Sequence, residues 1–180
     1  MELRDAGTHR AAAVNDFGQL LTEATTSPED RHINIHHARV WSLPFEVDPA
    51  GAGDYFFYLK NTDSIDYLVT DLRGSTTVVG YIEVNHVSGT PAYVGETPVV
   101  PVNRHLGSSN APDCTINIDT DITGLTNEGT LFRIDVATIN QLAHLRSTAG
   151  IVLPTGQALA LSWSAATGIL HGNLSLVALV

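Results

Sequence analysis

Short apolar or alternating runs, separated by Gly, Pro, Asn, Asp and Ser, follow one another from about residue 32 to residue 180. Such spacing predicts the strands and turns of a sandwich or barrel. In the clearest run, residues 113–122, Cys114, Ile116, Ile118 and Ile122 share one face, with Asp113, Thr115, Asn117, Asp119 and Asp121 on the other. Residues 130–139 repeat the pattern, with Phe132, Ile134 and Val136 inward against Arg133 and Asp135. In QALALSWS, Leu159, Leu161 and Trp163 alternate with Ala158, Ala160, Ser162 and Ser164, which predicts a half-buried strand after an LPTG turn.

Further strands are expected over residues 55–61, 65–72, 76–87 and 173–180. Residues 98–103 carry Pro98 and Pro101, which lack a donor N–H, so an edge strand or extended connection is expected there. Between residues 32 and 47, Ile33, Ile35, Trp41, Leu43, Phe45 and Val47 keep one parity while His37 and Arg39 interrupt it, which predicts a bulge or strand break near Ala38.

Two segments depart from the strand pattern. Residues 11–24 place Val14, Phe17 and Leu21 at helical spacing, weakened by Gly18, and residues 1–31 read as an N-terminal arm. Residues 137–147 space Ile139, Leu142 and Leu145 one helical turn apart, which predicts a short helix. The expected fold is all-β: a two-sheet antiparallel sandwich, jelly-roll-like, over residues 32–180, with the arm and one short helix. A closed barrel is the alternative.

Composition narrows the function classes. Val, Ile and Thr make up about a quarter of the 180 residues, which favours strands. Nineteen acidic against nine basic side chains give a net charge of -10, and the arginines are scattered, so no nucleic-acid partner is expected. No apolar run approaches the roughly 18–20 residues of a membrane-crossing helix. The start, MELRDAGTHR, lacks the order of an export signal, so synthesis in the cytoplasm and no membrane association are expected. A single cysteine, Cys114, excludes an internal disulfide and reads as a small buried hydrophobe.

Candidate chemistry is sparse. His32, His36 and His37 form the densest polar group, but a strand would hold His32 and His36 too far apart for joint coordination, and His86, His105, His144 and His171 add no ligand spacing. Surface or interface histidines are the plainer reading. Asp119 and Asp121, with Asp113 and Glu128 nearby, lack the order of a calcium loop and read as a solvated strand face. No nucleophile elbow or phosphate loop is present, and Asn173-Leu174-Ser175 matches a glycosylation acceptor only incidentally. No catalytic residue, cofactor or metal is expected.

Four stretches carry a resemblance. Phe17-Gly18-Gln19-Leu20-Leu21-Thr22-Glu23-Ala24, Phe57-Tyr58-Leu59-Lys60-Asn61-Thr62, Val102-Asn103-Arg104-His105-Leu106-Gly107-Ser108-Ser109-Asn110 and the run from Ile151 through Leu153-Pro154-Thr155-Gly156 to Trp163 occur in that order. Together they resemble segments of small virion structural proteins of tailed bacteriophages, although His105-Leu106 stands where an aromatic is expected and residues 76–100 have no counterpart. The resemblance implies a non-enzymatic jelly-roll subunit of the virion, a decoration or cement protein that binds the major capsid protein or other virion subunits and forms a homotrimer. Within it, Val14, Phe17, Leu20 and Leu21 are the expected partner-contacting residues; that the arm folds back on its own domain is the other reading. A tail component or receptor- or carbohydrate-binding module is the alternative function, with Tyr58, Tyr81 and Tyr93 as its available aromatics. A cupin-like metalloenzyme is the third.

Overall fold

The alternating runs become strands because each offers one apolar face to a shared core. In this computed structural model Ala13, Val14, Leu20, Leu21, Ile33, Asn34 and residues 37–179 are described, with Ala13, Val14, Leu20, Leu21 and residues 145–149 described for their backbone alone. The strands are β1 (Ala13–Val14), β2 (Leu20–Leu21), β3 (Val40–Val47), β4 (Tyr55–Asn61), β5 (Tyr67–Thr76), β6 (Gly80–Tyr93), β7 (Thr97–Pro98), β8 (Val102–Asn103), β9 (Cys114–Val136), β10 (Ala143–Leu153), β11 (Ala158–Trp163) and β12 (Leu170–Ala178).

Two five-stranded antiparallel sheets face each other, ordered β10-β5-β12-β3-β8 and β4-β11-β6-β9-β7. Among the eight longer strands, the first pairs with the last, the second with the seventh, the third with the sixth and the last, and the fourth with the fifth and the seventh. That is jelly-roll connectivity, a double Greek key. Between the sheets lies a core that includes Trp41, Leu43, Phe45, Phe56, Phe57, Leu72, Ile82, Leu159, Leu161, Trp163, Leu174 and Leu176. Phe45 packs at ring-centroid distances of 5.7 Å from Phe56 and 5.4 Å from Phe57, so β3 and β4 meet through aromatic contacts.

The second sheet also curls onto itself. β9 pairs with β4 through its first half and with β6 through its second, and Ile122 faces both Tyr55 and Tyr93. The ring β4-β11-β6-β9 therefore closes around a second, smaller core of Tyr58, Val87, Ile122, Ala158 and Ala160. Here the sequence reading needs correction, because β11 is buried on both faces. Its Ala158, Ala160 and Ser162 face is small enough for β9 to lie across it.

Four other expectations change. Residues 113–122 and 130–136 belong to one bent strand, β9. The short helix expected over residues 137–147 is absent: residues 138–140 form a turn in which Asn140 takes a φ of 56° and its N–H donates to the carbonyl of Thr76, and β10 then begins at Ala143. In the arm, Ala13 and Val14 pair with Leu21 and Leu20 as a strand ladder rather than stacking at helical spacing. Ile33, Asn34 and His37 are helical instead of extended, and the turn ends at Ala38, whose φ is 51°. That break falls where parity predicts one. Ile33 then packs on the outer face of the first sheet, against Val40, Val177 and Leu68.

Candidate interaction surface

Buried polar groups come first, since these are where concealed chemistry would lie. Asn85 is 1% exposed; it donates from Nδ2 to Ser162 Oγ (3.2 Å), and its Oδ1 accepts from Asn127 Nδ2 (3.2 Å) and Thr130 Oγ1 (2.7 Å). Asp119, 4% exposed, accepts from the backbone N–H groups of Val94 (2.5 Å), Gly95 (2.9 Å) and Thr120 (2.6 Å). The solvated position expected for it is therefore wrong: Asp119 fastens the turn after β6. Burial works to raise its pKa, but these amides outweigh it and the carboxyl is held below the ordinary value. Asp121, by contrast, is raised by burial and by Asp54 and Asp119.

Cys114 is partly buried against the main core, and burial pushes its thiol up to about 12. Tyr67 is likewise raised, first by burial and then by the hydrogen bond it donates to Asp63 Oδ2 (2.8 Å), and that same bond lowers Asp63. Asn85, Asp119, Tyr67 and Asp63 thus bond within their own fold.

The histidines do not converge. His86 bonds Gln157 Oε1 at 2.9 Å, His144 pairs with Asp71, His171 lies 3.2 Å from Glu46, and the backbone N–H of His105 donates to Asn103 Oδ1. His32 and His36 lie outside the described residues, and among the described ones no three His, Cys, Asp or Glu side chains gather to hold a metal ion. Trp41 and Trp163 are both buried, as alternation predicts. Tyr58 is buried as well, Tyr93 accepts a hydrogen bond from Asn117, and Tyr81 is covered by Arg133, whose guanidinium carbon sits 3.5 Å from the ring centroid.

Three of the stretches that carry the resemblance turn out to lock turns. Asn61 donates from Nδ2 to the carbonyls of Ile65 (2.8 Å) and Leu153 (2.9 Å), while its backbone exchanges bonds with Gly156 and Gln157. The stretches around residues 57–62 and 151–163 thus interlock at one buried amide. In the third, Asn103 and Asn110 donate to the carbonyls of Ala38 (2.8 Å) and His37 (3.3 Å), so the loop holds the turn that leads into β3. Beside it a polar cleft of about 440 Å³ is lined by Arg39, Asp63, Ser64, Ser109 and Asn110.

A second hollow has the opposite character. About 330 Å³ in volume, it is lined mostly by apolar groups, among them Leu131, Ile151, Val152, Pro154 and Leu159, with His86 and Gln157 at its rim. Leu131 is 43% and Val152 50% exposed, because both point away from the main core: Leu131 shares the outward parity of Arg133 and is the extra residue of a bulge between Thr130 and Phe132, and Val152 lies between Ile151 and Leu153, which face inward. On the β3 side, the Thr97–Asn103 connection spans from the edge of one sheet to the edge of the other and buries Val99. The groove lies where residues 154–157 lead from β10 to β11, and among the described residues β10 pairs with β5 alone.

Of the arm residues expected to contact a partner, Val14, Leu20 and Leu21 lie in the β1–β2 ladder, where among the described residues they pair only with each other and Ala13, and Phe17 lies outside the described residues. Leu131 and Val152 escaped the sequence reading. Strand parity turns both away from the main core, but it does not show that they come together in one hollow. No protein-family model, no curated protein and no solved structure matches the chain.

Proposed function

We propose that this protein is a structural subunit of a virus particle, a capsid decoration or cement protein that holds neighbouring capsid subunits together without covalent chemistry. The observation that carries the reading is the apolar groove around Leu131, Val152 and Pro154, beside the edge of β10 that no other described strand pairs with. Apolar surface next to an unpaired strand edge supports association with protein: burying it is favourable by roughly 25 cal/mol per Å², and the edge offers backbone bonds to a partner strand. Jelly rolls serve as capsid and lectin domains and as cupins, so the fold is compatible with the reading and does not decide it. The resemblance of residues 17–24, 57–62, 102–110 and 151–163 to tailed-phage virion proteins supplies the partner class: the major capsid protein, with three copies of this chain around a symmetry axis.

Imaging the intact particle tests this. Density for the jelly roll on the outer face of the head is the expected result, together with a lower temperature of head disruption when the chain is left out. A particle without the chain, or a head equally heat-resistant in its absence, overturns it.

The polar cleft of about 440 Å³ beside Arg39 and Asp63 favours a second reading, a tail or receptor-binding module that takes a carbohydrate. Sugar-array binding lost in Arg39→Ala and Asp63→Ala would replace the first reading with this one.

A further inference from the structure

Three segments wall the polar cleft, one carrying Arg39 and Trp41, one Asp63 and Tyr67, and one Ser109 and Asn110. They hold one another in place. Trp41 donates its ring N–H to the carbonyl of Asn110 (2.9 Å), and the Tyr67 hydroxyl donates to Asp63 Oδ2 (2.8 Å) while accepting from the N–H of Asp113 (3.2 Å). The Trp41 and Tyr67 rings meet edge to face at 6.0 Å. Walls fixed by their own bonds need little reordering to take a ligand.

What the cleft leaves unsatisfied is donors. Asp63 is filled, since its oxygens accept from the Ser64 N–H (2.6 Å), Ser64 Oγ (3.3 Å) and Tyr67, and the backbone of Ile65 bonds it as well. Four donors use the roughly four lone-pair sites of a carboxylate. Among the described residues, by contrast, neither the Arg39 guanidinium nor the Ser109 hydroxyl has a hydrogen bond or ion pair, and Arg39 and Asp63 do not pair although both line the cleft. We infer that the cleft is a binding site for a small, singly charged carboxylate, held by two parallel bonds from Arg39 with Ser109 as a further donor.

The planar fork of a guanidinium matches a carboxylate in this way. A second negative charge on the ligand would meet Asp63 and a chain of net charge -10, so a dianion such as phosphate is disfavoured. A neutral sugar ring is disfavoured too: Trp41 is 2% and Tyr67 1% exposed, so neither offers it a ring face. At about 440 Å³ the cleft has room for a whole small acid and not its head group alone. Such a site goes beyond the subunit reading and needs no place in the particle.

The two indole N–H signals in a heteronuclear NMR spectrum of the full chain test this, because Trp41 borders the cleft and Trp163 lies in the main core. Titration with sodium acetate or sodium glucuronate, at ionic strength fixed with sodium chloride, should move the Trp41 signal saturably. A midpoint on the order of millimolar is expected, with Trp163 unmoved and glucose inert. Arg39→Gln should raise the midpoint about tenfold or more and Arg39→Lys less, since an ammonium lacks the fork. Arg133→Gln, at a cation paired with Asp135 on the other sheet, should leave it unchanged. Asp63→Asn should lower it, because the opposing charge is gone. An unmoved Trp163 signal in each variant shows that the fold is kept. A shift that never saturates, that chloride alone reproduces, or that persists in Arg39→Gln overturns the site, and phosphate binding more tightly than acetate overturns its ligand class. Glucose or glucuronate binding with acetate inert, weakened by Asp63→Asn, overturns it in favour of the carbohydrate reading. The particle-subunit reading is decided separately, by the imaging of the head.

Discussion

Gly89 and Gly124 touch backbone to backbone where β6 and β9 curl away from each other: a Cβ on Gly89 would lie 2.5 Å from the carbonyl oxygen of Gly124, and one on Gly124 would lie 2.5 Å from that of Thr90. Both have left-handed φ, 98° and 75°, and the ladder slips between Gly89 and Ala92. The pair is the hinge that lets β9 leave β6 and close on β4. Gly124→Ala should therefore cost about 2 kcal/mol or more, from the left-handed backbone penalty plus displaced neighbours. Gly89→Ala should act alike, and the double variant should cost less than the two together, since the strain is shared. Urea midpoints at unchanged slope are the measurement; shifts under about 0.5 kcal/mol would remove the hinge role.

Asp119 anchors that curl from the other side by holding the Val94 and Gly95 amides. Its carboxyl titrates below the ordinary value in the folded chain, so its contribution is present above the unfolded-state pKa near 4 and is lost as pH falls through the folded one. Asp119→Asn replaces one acceptor with an N–H₂ group facing amide donors. It should cost about 1.5–3 kcal/mol at neutral pH, and the gap from wild type should narrow as pH drops below 4. A variant whose loss stays constant down to pH 2 would show that the charge does not matter.

Asn85 and Ser162 offer a test of the second core's polar side. Ser162 is buried, whereas Asn127 and Thr130 reach solvent. Asn85→Ala should therefore cost about 1–3 kcal/mol through the hydroxyl it strands, and Ser162→Ala a similar amount. The double variant should cost distinctly less than their sum, because each single change already breaks the 3.2 Å bond. Strict additivity would mean that the bond contributes nothing.

Legibility in the sequence followed the number of faces each strand buries. Trp41, Leu43, Phe45 and Val47, or Ile134 and Val136, meet one core, so parity alone placed them correctly. β11 meets two, and its Ala and Ser positions look solvent-facing until β9 is known to cross them. Asp119 misleads for a related reason: it sits where β9 spends four residues against two of β4, between Ile118 and Ile122, so its side chain meets backbone amides instead of water. Ile139, Leu142 and Leu145 mimic a helix turn because a tight turn and a new strand happen to share that spacing. Of the candidate surface, the arm's apolar residues were visible as residues with no obvious strand partner. The groove was not, because alternation turns Leu131 and Val152 outward one strand at a time and does not show that β9, β10 and β11 bring them to one hollow.

Cys114 and Tyr67 set the behaviour in alkali. Burial is the first cause of both raised values, and the hydrogen bond to Asp63 adds to that of Tyr67. A group raised on folding contributes stability that is complete below its unfolded-state pKa and disappears as pH climbs toward the folded one, so the chain should begin to lose stability above about pH 9 and continue to lose it through pH 12. Tyr67→Phe removes the phenol and its bond to Asp63, so it should lower stability at pH 8 by about 1 kcal/mol and flatten the decline above pH 10. The thiol gives a sharper reading. With a pKa near 12 in place of 9.0, the thiolate fraction at pH 8 falls by about three orders of magnitude, and an aromatic disulfide reagent should react with Cys114 correspondingly slowly in the folded protein and rapidly in urea. Fast labelling of the native chain at pH 8 would place Cys114 in water, outside the core that β9 and the Tyr67 region enclose.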